Sequence, residues 1–426
     1  MSPAHPRPRR LWLRLGEGFY PHDLHQRRCA LLHLTGRWEE VERQTRAMLE
    51  LSQQHRLPAM EADSHLELAT VLSTRGQLEP TLDHAQQALE LYRALGDQMG
   101  VSKALGEIGG AYADLGQFDT AVSYYNQRLE LARALGDQAG IMNAVGSIGT
   151  IHHQRDEFDQ AERCYQQWLE IATALSHQQS ISYVLNNLGM LRQQRGDFGG
   201  AMELFQRKLA IDRRLGDKRG ITYGLGNMAT LLREQGRYAE ALELYGQRIA
   251  LSQELGDGYG LGIAWGNLGE LYAAMGQRST AREHLERSAA VLRDKGYRYH
   301  LCNTLLALAE LNFNAGSDDA AGQCAEALAI AAEVGRGPVA HRARVLQARM
   351  QARSDPAGAA AALQEMLSPG LADQQRAEVL FALFQIGREE QWRERALALY
   401  AELRRRAPLA EYADRIDQLQ PGRGNN

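Results

Sequence analysis

Apolar residues recur three and four positions apart over long stretches of the chain, and polar residues fill the positions between them. Residues 101–115 and 118–135 are two adjacent examples. Because this spacing places the apolar side chains on one side of an α-helix, each stretch predicts an amphipathic helix. Two such helices joined by a short turn predict a helical hairpin.

The hairpin pattern repeats every 40 residues, as the phrases LGDQMG, LGDQAG, LGDKRG and LGDGYG show. A glycine recurs between the two helices, where a left-handed backbone conformation would end the first helix, and Asp156 is the exception in the series. The glycines lie at positions 36, 76, 116, 196, 236, 276 and 316, and alanines follow at 121, 161, 201, 241, 281 and 321.

The repeated positions also predict how the two helices of a unit pack. Small Ala121 lets the second helix approach the first, while Phe118 and Tyr125 fill the gap between them. A glycine inside the first helix costs about 1 kcal/mol relative to alanine. Its recurrence therefore predicts close contact between neighbouring backbones, at Gly109, Gly149, Gly189 and Gly269.

One unit carries a recognisable set of residues, namely Leu188, Gly189, Gly196, Phe198, Ala201 and Phe205. A second unit carries a matching set, namely Leu268, Gly269, Tyr272, Gly276 and Ala281. These residues resemble the tetratricopeptide repeat, in a 40-residue variant rather than the commoner 34-residue form. The segments NQRLELARALGD, GQRIALSQELGD and GNLGELY look like the long-form repeats of spindle-orientation adaptors and of bacterial signalling proteins.

The resemblance implies an all-α fold, a right-handed superhelical solenoid of antiparallel helix pairs. Eight units are expected over residues 21–335, after a proline- and arginine-rich leader, residues 1–20, that is expected to be disordered. Residues 336–426 lose the period and are expected to form degenerate helical repeats and a C-terminal cap. Their helices are predicted at about 339–353, 358–367, 372–386 and 390–406.

Composition excludes several classes of function. The 48 Lys and Arg against 52 Asp and Glu give a net charge of −4, which argues against a nucleic-acid binder. No apolar run approaches the roughly 18 to 20 residues that span a bilayer, so a soluble, cytoplasmic protein without a membrane partner is expected. The four cysteines contain no CxxC pair and are best explained as buried apolar residues.

No residues are singled out for catalysis, and neither a cofactor nor a metal site is expected. His152 and His153 are adjacent, but the His152 position is an interhelical position of the repeat. The glycines of residues 256–262 are mostly repeat glycines without a preceding strand, so a phosphate-binding loop is not expected.

The resemblance places the first helix of each unit on the concave surface of the solenoid. It thereby assigns Asn187, Asn227 and Asn267, spaced 40 residues apart, to a peptide-binding groove. In related long-form repeats such asparagines hold the backbone of an extended peptide, since one amide both donates and accepts. The alternative is that they bond a neighbouring helix or turn, because asparagine is a poor helix former.

Trp168, Lys208 and Arg248 stand where the second helix usually has a small residue. We expect them to reach across to the first helix of the next unit, where the two cations would favour a partner with carboxylates. Alternatively, they cover apolar surface with their tips in solvent. Further groove positions are expected at Tyr183, Asn186, Met190, Gln193, Tyr223, Thr230, Arg233 and Glu270, and small residues at Gly106, Gly110, Gly146 and Thr150 leave room for a bulky helix.

The favoured function is a protein-interaction scaffold that binds an extended or helical peptide segment of a partner protein. The alternative is a regulatory or sensor module of a bacterial signalling system that acts with an ATPase, cyclase or protease. Self-association through the ends of the array, or a tail that fills its own groove, is a third hypothesis.

Overall fold

The computed structural model describes residues 12–15, 18–21 and 38–420. The strands β1 (Trp12–Leu15) and β2 (Gly18–Pro21) pair in an antiparallel hairpin. The hairpin lies in the predicted disordered leader, whose remaining residues are outside the described ranges. Aromatic residues at positions 12, 19 and 20 favour strands, whereas the prediction of disorder rested on prolines and arginines.

Residues 38–420 form twenty α-helices. The chain divides into two compact units, each larger than a single repeat, which we call unit 1 (Met1–Leu175) and unit 2 (Ser176–Asn426). Unit 1 contains α1 (Trp38–Gln54), α2 (Pro58–Thr74), α3 (Leu78–Leu95), α4 (Gln98–Asp114), α5 (Phe118–Leu135), α6 (Gln138–Gln154) and α7 (Phe158–Ala174). Unit 2 contains α8 (Gln178–Gln194), α9 (Phe198–Leu215), α10 (Lys218–Glu234), α11 (Tyr238–Glu254), α12 (Gly258–Ala274), α13 (Arg278–Asp294), α14 (Arg298–Ala315), α15 (Asp319–Glu333), α16 (Gly337–Gln351), α17 (Pro356–Glu365), α18 (Asp373–Gly387), α19 (Glu390–Arg406) and α20 (Ala410–Leu419).

The helices from α2 to α15 follow the predicted repeat, with even-numbered first helices and odd-numbered second helices. Within each unit, every helix packs against the next along the chain. The first helix of the first predicted repeat falls on residues outside the described ranges, so the total of eight repeats stays a prediction.

The turns confirm the predicted left-handed residues. A positive φ recurs every 20 residues, both between the helices of a repeat and between repeats. Asp156, the exception in the glycine series, keeps the same conformation with a φ of 59°. The repeat therefore maintains the turn geometry even at the roughly 1–2 kcal/mol that a left-handed residue with a side chain costs.

The Leu-Gly-Asp phrases also begin the following helix. Asp217 and Asp257 accept hydrogen bonds from the backbone N–H groups of Gly220 (2.9 Å) and Gly260 (3.0 Å). These side chains satisfy backbone donors that a helix start leaves without an intrahelical partner. The glycine three residues after the aspartate is required because a Cβ there would crowd the capping carboxylate.

The glycines inside the first helices mostly face side chains of the second helix, although a Cβ added at Gly269 would also lie 3.1 Å from the backbone oxygen of Ala281. A Cβ added at Gly189 would lie 2.5 Å from the Phe205 ring, and one added at Gly149 would lie 3.0 Å from the Tyr165 ring. The predicted backbone contact is therefore wrong at Gly109, Gly149 and Gly189 and is confirmed at Gly269. The missing side chain accommodates the recurring aromatic ring instead.

The C-terminal helices lie close to their predicted positions, with bounds that differ by at most a few residues. The sequence analysis did not predict α20. Two of the four cysteines, Cys302 and Cys324, are buried as expected, whereas Cys164 is partly exposed and Cys29 is outside the described residues.

The segment between α19 and α20 returns to the first repeats of unit 2. We call residues 406–410 the C-terminal clasp. A Cβ added at Gly196 would overlap the carbonyl oxygen of Arg406 and lie 2.8 Å from the Cα of Ala407. Leu409 packs against the buried cluster that contains Phe198 and Phe205. The clasp thereby joins the last helices of unit 2 to α8 and α9.

Candidate functional site

The first helices of successive repeats in unit 2 share one face through polar contacts between side chains. We call this the A-face, formed by α8, α10, α12, α14 and α16. Four of its contacts connect residues 37 to 41 positions apart, close to the repeat period, and the fifth, between α14 and α16, connects residues 32 positions apart. They are Asn186–Asn227 (2.6 Å), Gln193–Glu234 (2.7 Å), Arg233–Glu270 (3.4 Å), Tyr259–His300 (2.8 Å) and Glu310–Arg342 (2.9 Å).

The three predicted asparagines differ in their bonding, although all three are partly buried. The Nδ2 of Asn227 donates to the Oδ1 of Asn186 at 2.6 Å, so Asn227 follows the alternative in which the amide bonds a neighbouring helix. Across residues 38–420, the side chains of Asn187 and Asn267 form no hydrogen bond, and neither amide is buried without a partner. Their amides therefore remain available to an additional partner.

Large apolar and aromatic side chains are exposed on the same helices. Tyr183 is 51% exposed, Tyr223 is 46% exposed and Met190 is 39% exposed. Asn186 donates to the sulfur of Met190 at 3.4 Å, which places both residues on the A-face. Since exposed aromatic residues are a common feature of protein-binding surfaces, these three positions agree with a binding role.

Arg233 and Glu270 neutralise each other. Their charged groups lie 3.4 Å apart between α10 and α12, and both side chains are partly exposed. Thr230, one turn earlier on α10, bonds the Tyr245 hydroxyl at 2.9 Å and so belongs to the packing of its own repeat. This part of the A-face is already bonded internally.

Lys208 reaches the first helix of the next repeat, as predicted, but it is buried and does not line a groove. Its side chain is 3% exposed, its ammonium group pairs with Asp212, and it donates to the carbonyl oxygen of Gly220 at 2.8 Å. Ser182 donates to the same carboxylate. Since Lys208 and Asp212 are four residues apart on one helix, they face each other, and this spacing was a sequence signal that the interpretation missed.

Arg248 and Trp168 contact the first helix of their own repeat. Tyr259, on the first helix of the next repeat, is also among the groups that act on Arg248. A Cβ added at Gly226 would overlap the Nη1 of Arg248, and one added at Gly146 would lie 2.8 Å from the Trp168 ring. Arg128 fills the corresponding space at Gly106 in unit 1. The room expected at Gly106 and Gly146 for a bulky partner helix is therefore occupied.

Arg248 is buried like Lys208 but, unlike Lys208, has no carboxylate partner among the described residues. Its side chain is 4% exposed, and its Nε is buried without a hydrogen bond. Within the described part of the chain the guanidinium forms neither an ion pair nor a hydrogen bond. Burial lowers the pKa of Arg248, with small opposing effects from nearby tyrosines and Asp257.

The sequence analysis missed an aromatic cluster farther along the A-face. The rings of Tyr259 and Tyr297 meet edge to face with centroids 4.8 Å apart, and the Tyr259 hydroxyl bonds His300. Arg336 lies over the Tyr299 ring at 4.1 Å. Tyr259 and Tyr299 lie 40 residues apart, at the same position of neighbouring repeats, and this spacing was a sequence signal that the analysis did not use.

A second missed cluster surrounds Glu378 on α18. Arg342 and Glu310 of the A-face, together with Glu411 and Arg415 of α20, line one pocket with it. Burial raises the pKa of Glu378 to about 7, Arg342 opposes the increase, and Glu411 and Glu310 add to it. The loss of the repeat period in this region hid the cluster from the sequence analysis.

Two further findings concern metals and membranes. Between residues 38 and 420, no group of three or more His, Cys, Asp or Glu side chains is arranged to hold a metal ion. Among the helices that the structure describes, none combines the length and apolar character required to cross a membrane.

Comparison with known families identifies the repeat. A family model described as tetratricopeptide repeat matches residues 60–134, 138–214 and 220–294, which together make up more than half of the chain. The chain belongs to the tetratricopeptide repeat family. No curated protein sequence matches this tetratricopeptide repeat chain.

Solved structures with the same fold include two Rap proteins and a quorum sensor. A Rap protein complexed with competence and sporulation factor has a TM-score of 0.59 and 13% identity, covering 85% of this chain and 100% of its own. The apo form of the quorum sensor NprR from B. thuringiensis has a TM-score of 0.55 and 14% identity, covering 72% of this chain and 86% of its own.

The third structure is the Rap conjugation gene regulator of the plasmid pLS20 in complex with the Phr* peptide. It has a TM-score of 0.55 and 14% identity, covering 67% of this chain and 77% of its own. At this level of identity the similarity shows the fold alone, an α-solenoid of antiparallel helix pairs.

Proposed function

We propose that this tetratricopeptide repeat chain binds an extended or helical peptide segment of a partner protein on the A-face of unit 2. The observation that carries the proposal is the pair of amides, Asn187 and Asn267, that form no side-chain hydrogen bond within residues 38–420. Each amide offers a donor and an acceptor, which matches the peptide group of any residue. Tyr183, Tyr223 and Met190 then supply exposed contact surface beside them.

Asn227 takes a different part in this arrangement. Its bond to Asn186 fixes both amides and leaves the outer lone pair of Asn186 and the second proton of Asn227 for a ligand. A bound peptide therefore meets amides that are already held in one orientation. Such preorganisation lowers the entropy that binding must offset.

The solved relatives support a peptide ligand. The pLS20 Rap regulator was solved with the Phr* peptide, and another Rap protein was solved with competence and sporulation factor. Both are thus complexes of proteins with this fold. A binding role also requires no catalytic group, in keeping with an A-face that consists of amides, aromatic residues and paired charges.

The test uses a degenerate decapeptide library and the purified full-length chain. We expect the wild type to retain a subset of peptides that the Asn187→Ala, Asn267→Ala double variant loses. Four hydrogen bonds at about 1 kcal/mol each predict a weakening of roughly a thousandfold. Asn126→Ala, which removes an exposed amide from a second helix of unit 1, is the matched control and retains the wild-type set.

Both variants are first checked for unchanged helicity and unfolding midpoint. Equal retention by the wild type and the double variant would show that the asparagines do not hold the peptide. The same peptides then serve as ligands for affinity measurements by fluorescence anisotropy.

A second candidate function is a sensor module in a bacterial signalling system. The quorum sensor NprR, which covers 72% of this chain, supports it. The two candidates differ in what ligand binding causes. A sensor changes its affinity for a second protein when peptide is bound, so pull-down of lysate proteins with and without a retained peptide distinguishes it from a simple scaffold.

A further inference from the structure

Two Lys and Arg side chains of unit 2 are buried among the described residues, Lys208 and Arg248. Lys208 pairs with the carboxylate of Asp212. Arg248 is 4% exposed and has no such partner among the described residues. A buried charge without a counter-charge is costly, so an anion that approached this guanidinium would bind favourably.

The guanidinium of Arg248 reaches the A-face through a gap in α10. Position 226 corresponds to Asn186 in the preceding repeat, and Asn186 lies on the A-face because it bonds Asn227. Gly226 leaves this position empty, and the Arg248 guanidinium takes it, with Cζ 2.9 Å from where a Cβ would be. The cation of a second helix thus lies beside the amides of the first helices.

The groups around Arg248 favour a ligand that carries a negative charge. Tyr223 and Tyr259 are among the groups that act electrostatically on it, and Tyr223 is 46% exposed. The carboxylate in its vicinity, Asp257, is already used to cap α12 through the N–H of Gly260 at 3.0 Å. A guanidinium offers parallel N–H donors that match the two oxygens of a carboxylate.

We propose that Arg248 is the anchor for a carboxylate group of the peptide that binds the A-face. The carboxylate comes either from an Asp or Glu side chain or from the C-terminus of the peptide. This inference rests on the proposed function, since the peptide backbone on the neighbouring asparagines brings the carboxylate to Arg248. The ligand carries one negative charge at this position, in balance with one guanidinium.

The test compares four forms of one degenerate peptide library: a fixed central Glu or a fixed central Gln, each with a free C-terminal acid or a C-terminal amide. Full-length wild type is expected to enrich at least one acidic form at least tenfold over its neutral counterpart. Preference for Glu over Gln assigns the carboxylate to a side chain, and preference for acid over amide assigns it to the C-terminus.

Arg248→Met is expected to retain peptides but reduce this preference to less than twofold. Arg128→Met is the matched control, because Arg128 lies against Gly106 in unit 1 as Arg248 lies against Gly226, and it keeps the wild-type preference. Arg248→Lys keeps the charge without the paired donors and is expected to give an intermediate preference. It also replaces the Met variant if that variant does not fold.

The outcomes separate this inference from the proposed function. If peptides bind through the asparagines but the wild type shows no acidic preference, or Arg248→Met keeps it, the anchor is refuted and the peptide groove stands. If the wild type retains no peptide in any form, both are refuted.

Discussion

The contact between Gly196 and the C-terminal clasp leads to a strong prediction for Gly196→Ala. Gly196 has a φ of 79°, where a side chain costs roughly 1–2 kcal/mol. The new Cβ would also overlap the Arg406 carbonyl, so the clasp must move away. Leu409 then loses part of the 1.5–3 kcal/mol that full burial of a leucine contributes. We expect a total loss of about 3 kcal/mol in the free energy of unfolding.

Gly216→Ala is the matched control. Gly216 has a φ of 68°, and a Cβ there meets nothing within 4 Å among the described residues. Only the conformational cost of about 1–2 kcal/mol applies. The same left-handed turn conformation and the same substitution thus occur without the clasp.

Two measurements test the prediction. Urea unfolding gives the free energies, and hydrogen exchange reports on the amides of residues 406–420. We expect Gly196→Ala, but not Gly216→Ala, to increase exchange in this segment. Equal destabilisation of the two variants with unchanged exchange would refute the assignment of the clasp as a stabilising contact.

Two further predictions concern buried charges in unit 2. Lys208→Met leaves Asp212 buried without its counter-charge, so the free energy of unfolding measured in urea should fall by about 3–5 kcal/mol. Adding Asp212→Leu should recover most of that loss. A Lys208→Met variant as stable as the wild type would contradict the pairing. The pKa of Glu378 is about 7 in the folded chain and 4.5 ordinarily. The folded chain therefore holds a proton that the unfolded chain has lost, and the free energy of unfolding should fall as the pH rises from 4.5 to 7. Glu378→Gln should remove this decrease, and an unchanged pH dependence would show that Glu378 is not its source.

The repeat pattern predicted the helices and turns because each unit reuses the same local chemistry. Glycine or another residue in the left-handed region recurs at the turns, and the aromatic residues at positions such as 165 and 205 fill the first-helix glycines. The clasp and α20 escaped prediction because residues 336–426 lose the period. A contact such as that of Arg406 with Gly196 has no local signature in the sequence.

The candidate site was predictable in its placement and less so in its bonding. The 40-residue spacing placed Asn187, Asn227 and Asn267 on one set of helices, yet only the structure shows that Asn227 is bonded to a neighbour. Lys208 was misassigned although Asp212 lies one helical turn away. Gly226 and Arg248 lie 22 residues apart, as do Gly146 and Trp168. This shared spacing was an unused sequence signal that the large side chain packs against the glycine of the first helix.

The clasp changes how unit 2 responds to local unfolding. In an open solenoid each repeat is coupled only to its nearest neighbours, so the terminal repeats fray independently of the middle. Contacts of Arg406 and Leu409 with the α8–α9 repeat couple the two ends of unit 2 directly. Loss of structure at either end therefore weakens the other, and unit 2 unfolds with a cooperativity that nearest-neighbour coupling alone does not provide.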